Sequence, residues 1–298
     1  MEVGFIGLGA MGMGMATHAL KNKFSVHGFD IDPEKLRQFE TAGGKTGSLE
    51  EKLPGLDVVL SMLVNSAQAE QLFFGEKALA AKMKPGSIYI SGSTVSPDDA
   101  RKLAGKFAAY KVRYIDSPVS GGTIRAAQGD LVFMVAGKKQ DIEDARPLLD
   151  VLARNVFIAG EEIGQGSVIK IVNQLLAGSH IVCAAEALVF AMKQGLSAQT
   201  TFDIIKESAG NSWIWENRMP HVLDGDYTPL SAIEIFVKDL GLVTDTAHKL
   251  RYSVPMAAAA LEQFIAAAGS GLGKEDDSAV AKIYARNSGV KLPEKKSS

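Results

Sequence analysis

The sequence predicts an α/β fold, in which a doubly wound and mostly parallel sheet is followed by an all-helical domain. From residue 1 to about residue 160, apolar runs of strand length alternate with segments of helical periodicity, as is typical of such sheets. Past Gly164 the alternation stops, and only helical patterns follow. We therefore expect one domain over residues 1–163 and a second over residues 164–298.

The elements of the first domain follow from apolar periodicity and from helix-start residues. We expect strands at residues 3–6, 24–29, 57–62, 87–91, 113–116, 131–136 and 156–158. We expect helices at residues 33–41, 66–74, 97–110 and 139–152. Because ligands of doubly wound sheets bind at the carboxyl ends of the strands, the residues directly after each strand are the candidates for a site.

The second domain is expected to begin with a long helix over residues 164–194. Apolar residues occupy most of its faces, so we expect it to be buried, to connect the two domains and to form one wall of the cleft between them. The lone cysteine, Cys183, lies in this helix and is expected to be a buried, inert thiol. Long apolar helices in this domain also predict a homodimer or homotetramer.

A glycine pattern follows the first strand and begins a helix. Its residues are Gly7, Leu8, Gly9, Ala10, Met11 and Gly12. Gly7 permits the tight turn, Gly9 lets the backbone approach a pyrophosphate, and Gly12 lets the helix pack close to the strand. The N–H groups and the dipole of the helix N-terminus favour an anion. The pattern predicts a Rossmann-type dinucleotide site, with an ordinary glycine-rich turn as the alternative.

The second strand ends at Asp30, close to the offset of about 20 residues expected for an acid that bonds the adenosine ribose. A carboxylate there would repel the 2′-phosphate of NADP, and no arginine follows immediately, so the sequence favours NAD. The alternative for Asp30 is a helix cap, although Asp32 before Pro33 already suits that task. At later strand ends, Leu63, Val64 and Thr94 are expected to contact the cofactor.

Two polar residues interrupt the long apolar helix. Lys170 and Asn173 are three positions apart and therefore lie on one face. A lysine that extends to solvent or pairs with a carboxylate is the structural alternative. The functional interpretation is proton transfer: Lys170 accepts the proton of a hydroxyl whose carbon loses a hydride, provided that desolvation lowers its pKa toward neutrality. Asn173 would orient the substrate hydroxyl or carboxylate.

A third cluster follows the strand that ends at Asp116. It places Ser120, Gly121, Gly122 and Thr123 together, and we expect their hydroxyl and N–H groups to bind a substrate carboxylate. An ordinary glycine loop is the alternative.

Composition excludes several function classes. The chain has 34 acidic and 32 basic residues and a net charge of -2, so we expect neither nucleic acid nor a membrane as a partner. No histidine or thiolate set with metal-ligand spacing occurs, and we expect no metal. No signal peptide or uninterrupted membrane-spanning run is evident, so we expect a cytoplasmic protein.

Four ordered motifs together resemble the β-hydroxyacid dehydrogenases, the 3-hydroxyisobutyrate dehydrogenase family, over essentially the whole chain. They are the glycine pattern extended to residue 16, Asp-Ser-Pro-Val-Ser-Gly-Gly at 116–122, Gly-Gln-Gly-Ser-Val-Ile-Lys-Ile-Val-Asn-Gln at 164–174, and Lys-Asp-Leu at 238–240. The resemblance implies that Lys170 is the catalytic lysine and that Ser120, Gly121, Gly122 and Asn173 hold the substrate. It also implies that Lys238 reaches the cofactor and substrate cleft from the helical domain. Gln174 stands where many members carry a second asparagine and is expected to bind the substrate with Asn173.

Residues 210–220 are most similar to the L-threonate branch of that family. The expected function is NAD-dependent oxidation of L-threonate to its 2-keto acid. Three alternatives stay open: a 3-hydroxyisobutyrate dehydrogenase, a reductase of tartronate or succinic semialdehyde, and a non-catalytic NAD-binding sensor.

Overall fold

The computed structural model describes residues 1–295 and divides the chain into two compact units. The first unit is Met1–Lys170, and the second begins at Ile171. The division lies inside the long helix, whereas the boundary expected from the sequence lies between residues 163 and 164, before that helix. The start of the helix belongs to the first unit because its first turn packs on the sheet of that unit.

The first unit is built on one mixed sheet. Its strands are β1 (Glu2–Ile6), β2 (Ser25–Phe29), β3 (Val58–Ser61), β4 (Ile88–Ser91), β5 (Arg113–Asp116), β6 (Val119–Ser120), β7 (Leu131–Ala136) and β8 (Ala153–Gly160). Their order is β2-β1-β3-β4-β5-β7-β6, and β8 pairs with β7. Strands β1 to β5 pair in parallel, while β7 is antiparallel to β5 and to β6. The prediction of a doubly wound, mostly parallel sheet is confirmed.

Helices alternate with these strands. They are α1 (Ala10–Lys21), α2 (Pro33–Thr41), α3 (Leu49–Lys52), α4 (Ser66–Phe74), α5 (Pro97–Ala108), α6 (Gly122–Gln128) and α7 (Lys139–Leu152). The starts of α2, α4 and α5 are capped by Asp32, Asn65 and Ser96, whose side chains accept backbone N–H groups of the first turn. The periodicity did not predict β6 or α6, which have two and seven residues and are too short to show a period.

The second unit is helical. The long helix α8 (Gln165–Lys193) begins in the first unit and continues into the second, where it is followed by α9 (Ala198–Lys206), α10 (Trp213–Asp224), α11 (Ile233–Lys249), α12 (Pro255–Ala267) and α13 (Ala281–Ser288). Leu188, Phe236 and Phe264 are among the buried residues of its core. The prediction of an all-helical second domain is confirmed.

The expectation that α8 is buried on most faces is wrong. Val172, Leu176 and Phe190 are 50%, 51% and 66% exposed, and Cys183, which was expected to be buried, is exposed as well. These residues recur at three- or four-residue intervals or multiples of them, so they form one face of the helix. The opposite face packs in the core through Ile181 and Leu188 and similar residues. By length and composition alone α8 could cross a membrane, but its packed face is that of a core helix.

Candidate active site

The glycine turn after β1 is held between the ends of the two neighbouring strands. The Gly7 N–H donates to the carbonyl of Phe29 at 2.8 Å, and the Met62 N–H donates to the carbonyl of Ile6 at 2.8 Å. Gly7 has a φ of +88°, and a Cβ there would lie 2.6 Å from the Met62 carbonyl oxygen. Only glycine fits this position without strain.

Of the other two glycines of the pattern, Gly12 is closely packed and Gly9 borders open space. A Cβ on Gly12 would lie 1.8 Å from the carbonyl oxygen of Gly7, so α1 packs directly on the turn. Around Gly9, which precedes α1, no atom lies within 4 Å of where a Cβ would be. Gly9 has no side chain to cap α1, and the first N–H groups of a helix have no partner within the helix. These surroundings fit the pyrophosphate of a dinucleotide.

The carboxylate of Asp30 is fixed beside the same turn. Its Oδ2 accepts the Leu8 N–H at 2.6 Å, and its Oδ1 accepts the Asp32 N–H at 2.9 Å. The cap of α2 is Asp32, which accepts the Glu34 N–H at 2.9 Å. The structure therefore disfavours the helix-cap alternative for Asp30. The side chain of Leu8 itself is fully buried in the core, so Leu8 can offer a ligand only its backbone.

The remaining predicted cofactor contacts lie in the loops after β3 and β4. The Leu63 N–H donates to Ser93 Oγ and the Val64 N–H donates to Gln68 Oε1, both at 3.0 Å. Val64 is 52% exposed, and Thr94 is half-buried. Because β1, β3 and β4 are parallel neighbours, these loops lie at the same edge of the sheet as the glycine turn.

The loop from Asp116 to Thr123 begins at the same edge. Ser120 ends β6 and is half-buried, and Gly121 and Gly122 follow with φ values of +140° and +76°. No atom lies within 4 Å of where a Cβ on Gly122 would be, so the backbone is accessible there. The loop combines accessible backbone with the hydroxyl groups of Ser120 and Thr123.

Lys170 lies in the second turn of α8, within the first unit, and is only 7% exposed. This burial disfavours a lysine that extends into solvent. Asn173 follows three residues later on the same helix and is half-buried.

In the second unit, Asn173 belongs to a chain of polar side chains. Its Nδ2 donates to Gln174 Oε1 at 2.9 Å, and Gln174 Nε2 donates to Asp239 Oδ2 at 2.5 Å. The Lys238 ammonium lies 2.6 Å from the other oxygen of Asp239. Gln174 and Asp239 are buried, and both ends of the Gln174 amide are engaged within the protein. Asp239 is not among the predicted site residues, although an acidic residue on the buried face of α11 is itself a signal.

In the segment at residues 210–220, the side chains of Trp215 and Arg218 make contacts within the second unit. Trp215 is buried in the core, and Arg218 Nε donates to Asp277 Oδ1 at 2.7 Å. The Arg218 guanidinium also donates to the Asn217 side chain. Burial raises the pKa of Asp277 to about 7, and the guanidinium of Arg218 opposes that shift. These contacts favour an internal ion pair for Arg218. Within residues 1–295, no three His, Cys, Asp or Glu side chains could jointly hold a metal ion.

Comparison with known proteins identifies the family. Residues 2–160 match the family model described as the NAD binding domain of 6-phosphogluconate dehydrogenase. Residues 164–284 match the model described as NAD-binding of NADP-dependent 3-hydroxyisobutyrate dehydrogenase. An L-threonate dehydrogenase of Pectobacterium atrosepticum is 44% identical over 99% of this chain and 96% of its own length. The chain belongs to the 3-hydroxyisobutyrate dehydrogenase family.

Two further relatives of this family member are similar over nearly their whole length. An L-threonate dehydrogenase of Cupriavidus necator is 45% identical, with 99% of this chain and 98% of the relative covered. A crystal structure described as 3-hydroxyisobutyrate dehydrogenase from Salmonella typhimurium is 44% identical, covers 95% of this chain and 99% of its own, and has a TM-score of 0.88. The predictions of the family, of an oxidoreductase acting on CH–OH groups and of NAD as cofactor are confirmed.

Proposed function

We propose that this protein oxidises L-threonate to its 2-keto acid with NAD. The observation that carries the proposal is the buried Lys170, which lies on a helix that begins at the sheet edge where the glycine turn and the loop 116–123 are found. The choice of substrate is supported by the L-threonate dehydrogenases, which match the chain over 99% of its length.

When bound, NAD supplies the acceptor for the hydride that leaves the carbinol carbon. In the proposed reaction, Lys170 Nζ accepts the hydroxyl proton, so that a C–H and an O–H bond break and a carbonyl forms. Ser120, Gly121, Gly122 and Thr123 bind the substrate carboxylate through hydroxyl and N–H groups.

Asn173 orients the substrate hydroxyl, and Gln174 holds the Asn173 amide in place through their hydrogen bond at 2.9 Å. Because both ends of its amide are engaged within the protein, we assign Gln174 to holding Asn173 and not to direct contact with the substrate. Lys238, whose ammonium pairs with Asp239, is proposed to bind the cofactor.

A substrate panel tests the proposal. NADH formation is measured with L-threonate, D-threonate, D-erythronate, 3-hydroxyisobutyrate and D-glycerate, and NADH consumption with tartronate and succinic semialdehydes. We expect L-threonate to give the highest kcat/KM. A preference for 3-hydroxyisobutyrate, the substrate in the name of the Salmonella relative, would contradict the substrate but keep the chemistry. Binding of NAD without turnover of any compound would favour the sensor.

The cofactor preference depends on Asp30. In Asp30→Ala the preference for NAD over NADP should narrow by about tenfold, because the carboxylate that repels a 2′-phosphate is removed. The ratio of kcat/KM for the two cofactors measures this. Asp32→Ala is the control, since the Asp32 side chain caps α2 and its N–H to Asp30 is kept, and its ratio should equal that of the wild type. An unchanged ratio in Asp30→Ala would exclude Asp30 as the ribose contact.

We further propose that the protein is a cytoplasmic homo-oligomer that covers the exposed apolar face of α8. Large exposed apolar surfaces mark association sites, and Val172, Leu176 and Phe190 expose such a surface along one helix face. Light scattering after size exclusion should give at least a dimer for the wild type. Phe190→Glu should dissociate it, whereas Leu250→Glu, at a 73% exposed residue outside α8, should not. A monomeric wild type would refute this proposal.

A further inference from the structure

Asp116 makes the most extensive set of buried side-chain hydrogen bonds to a distant segment in the first unit. Its side chain is fully buried at the end of β5. Its Oδ2 accepts the N–H groups of Gly164 at 3.0 Å and Ser167 at 2.8 Å, and its Oδ1 accepts the Ser167 hydroxyl at 2.7 Å. All three bonds reach the start of α8, about 50 residues further along the chain.

The start of α8 needs such an acceptor. The first N–H groups of any helix have no partner within the helix, and the residue before Gln165 is a glycine, which has no side chain to cap them. A carboxylate at this end also interacts favourably with the helix dipole. Burial raises the pKa of Asp116, and the bonds from Ser167 and Gly164 oppose that shift by stabilising the charged form. Asp116 thus acts as the cap that the local sequence lacks.

Two glycines bring the start of α8 into direct contact with its neighbours. A Cβ on Gly166 would lie 2.4 Å from the Met134 carbonyl oxygen and 2.7 Å from that of Asp116. Gly164 has a φ of +99°, and a Cβ there would lie 2.6 Å from an Arg101 guanidinium nitrogen. The first turn of α8 therefore rests on the backbone of β5 and β7, where Asp116 can reach it.

We propose that Asp116 is a positioning residue for Lys170, an inference that rests on the proposed role of Lys170 as the proton acceptor. Lys170 follows Ser167 by three residues, a rise of about 4.5 Å along the helix. The bonds of Asp116 fix this turn to the end of β5, from which the loop 116–123 also begins. One buried carboxylate thus sets the position of the proton acceptor relative to the loop assigned to the substrate carboxylate.

Three variants separate hydrogen bonding from charge. Asp116→Ala removes all three bonds, and we expect kcat to fall about a hundredfold, the effect of a displacement of about 1 Å, with KM for NAD within about twofold. Asp116→Asn can keep all three, because its oxygen accepts the two N–H groups and its NH₂ donates to Ser167 Oγ. It should restore kcat to within about fivefold of the wild type. Ser167→Ala loses one bond, and its kcat should lie between those of Asp116→Ala and Asp116→Asn.

Hydrogen exchange of residues 164–172 in the protein without ligands gives a readout that does not depend on turnover. We expect exchange about tenfold faster in Asp116→Ala and close to wild type in Asp116→Asn. Asp141→Ala is the matched control, since Asp141 is also a buried acid, 7% exposed, but its carboxylate pairs with Arg113 of β5. It should lower Tm while leaving kcat and this exchange unchanged.

The outcomes distinguish this inference from the proposed function. Unchanged exchange and kcat in Asp116→Ala, or an Asp116→Asn variant as impaired as Asp116→Ala, would overturn the positioning role. If Asp116→Ala does not fold, unchanged exchange and kcat in Ser167→Ala would overturn it. If the wild type oxidises no acid of the panel, the proposed function fails, while the exchange measurement still decides whether Asp116 holds the start of α8.

Discussion

Replacement of Lys170 by alanine is expected to lower kcat by about a thousandfold, the middle of the range for loss of a general base. Lys170 is 7% exposed, so water has poor access to replace it as the proton acceptor. NAD binding should change by less than about twofold, because the glycine turn and Asp30 are unaltered. Stopped-flow measurement of NADH formation and titration of NAD by protein fluorescence would check the two expectations.

Two controls sharpen the Lys170 experiment. Lys170→Arg keeps a positive charge but cannot lose its proton, so it should be almost as impaired as the alanine variant. Lys193→Ala removes a lysine at the far end of the same helix, where the ammonium donates to the Ser288 carbonyl, and should retain wild-type kcat. A Lys170→Ala variant with more than a tenth of wild-type kcat would contradict the proton-acceptor role.

Replacement of Gly9 by alanine is expected to weaken NAD binding by about a hundredfold, or about 2.7 kcal/mol, without destabilising the protein. The backbone of Gly9 has a φ of -61°, which alanine adopts readily, and no protein atom lies within 4 Å of the new Cβ. The added methyl group would occupy the space assigned to the pyrophosphate. Isothermal titration with NAD and a thermal melt measure the two effects on one sample.

Gly105→Ala is the matched control for Gly9→Ala. Gly105 lies within α5, and its Cβ would also have no neighbour within 4 Å. This variant should gain about 0.5–1 kcal/mol in free energy of unfolding, as expected for alanine in a helix, and keep wild-type NAD affinity. Equal affinity of Gly9→Ala and the wild type would place the pyrophosphate elsewhere.

Local signals were sufficient for much of the first unit. Helices α2, α4 and α7 have the predicted bounds, because caps and apolar periodicity act within a few residues of each helix. Strands β5 and β7 match as well, whereas the strand predicted at residues 156–158 extends over Ala153–Gly160. The additional residues at both ends of this strand pair with β7. The apolar periodicity of a segment carries no information about the strand that it pairs with.

The sequence by itself determined the family, the fold class and the cofactor, because the glycine pattern and the alternation of strands and helices are local and chemically specific. It also indicated Lys170 and the loop 116–123.

Only the tertiary structure decided which polar groups meet. Gln174 bonds Asp239, Arg218 pairs with Asp277, and Asp116 caps a helix about 50 residues away. Tertiary packing also decided which face of α8 is exposed, since apolar residues occur on most of its faces. These contacts join residues far apart in the chain, and a buried polar group takes whichever partner the fold brings within hydrogen-bond distance.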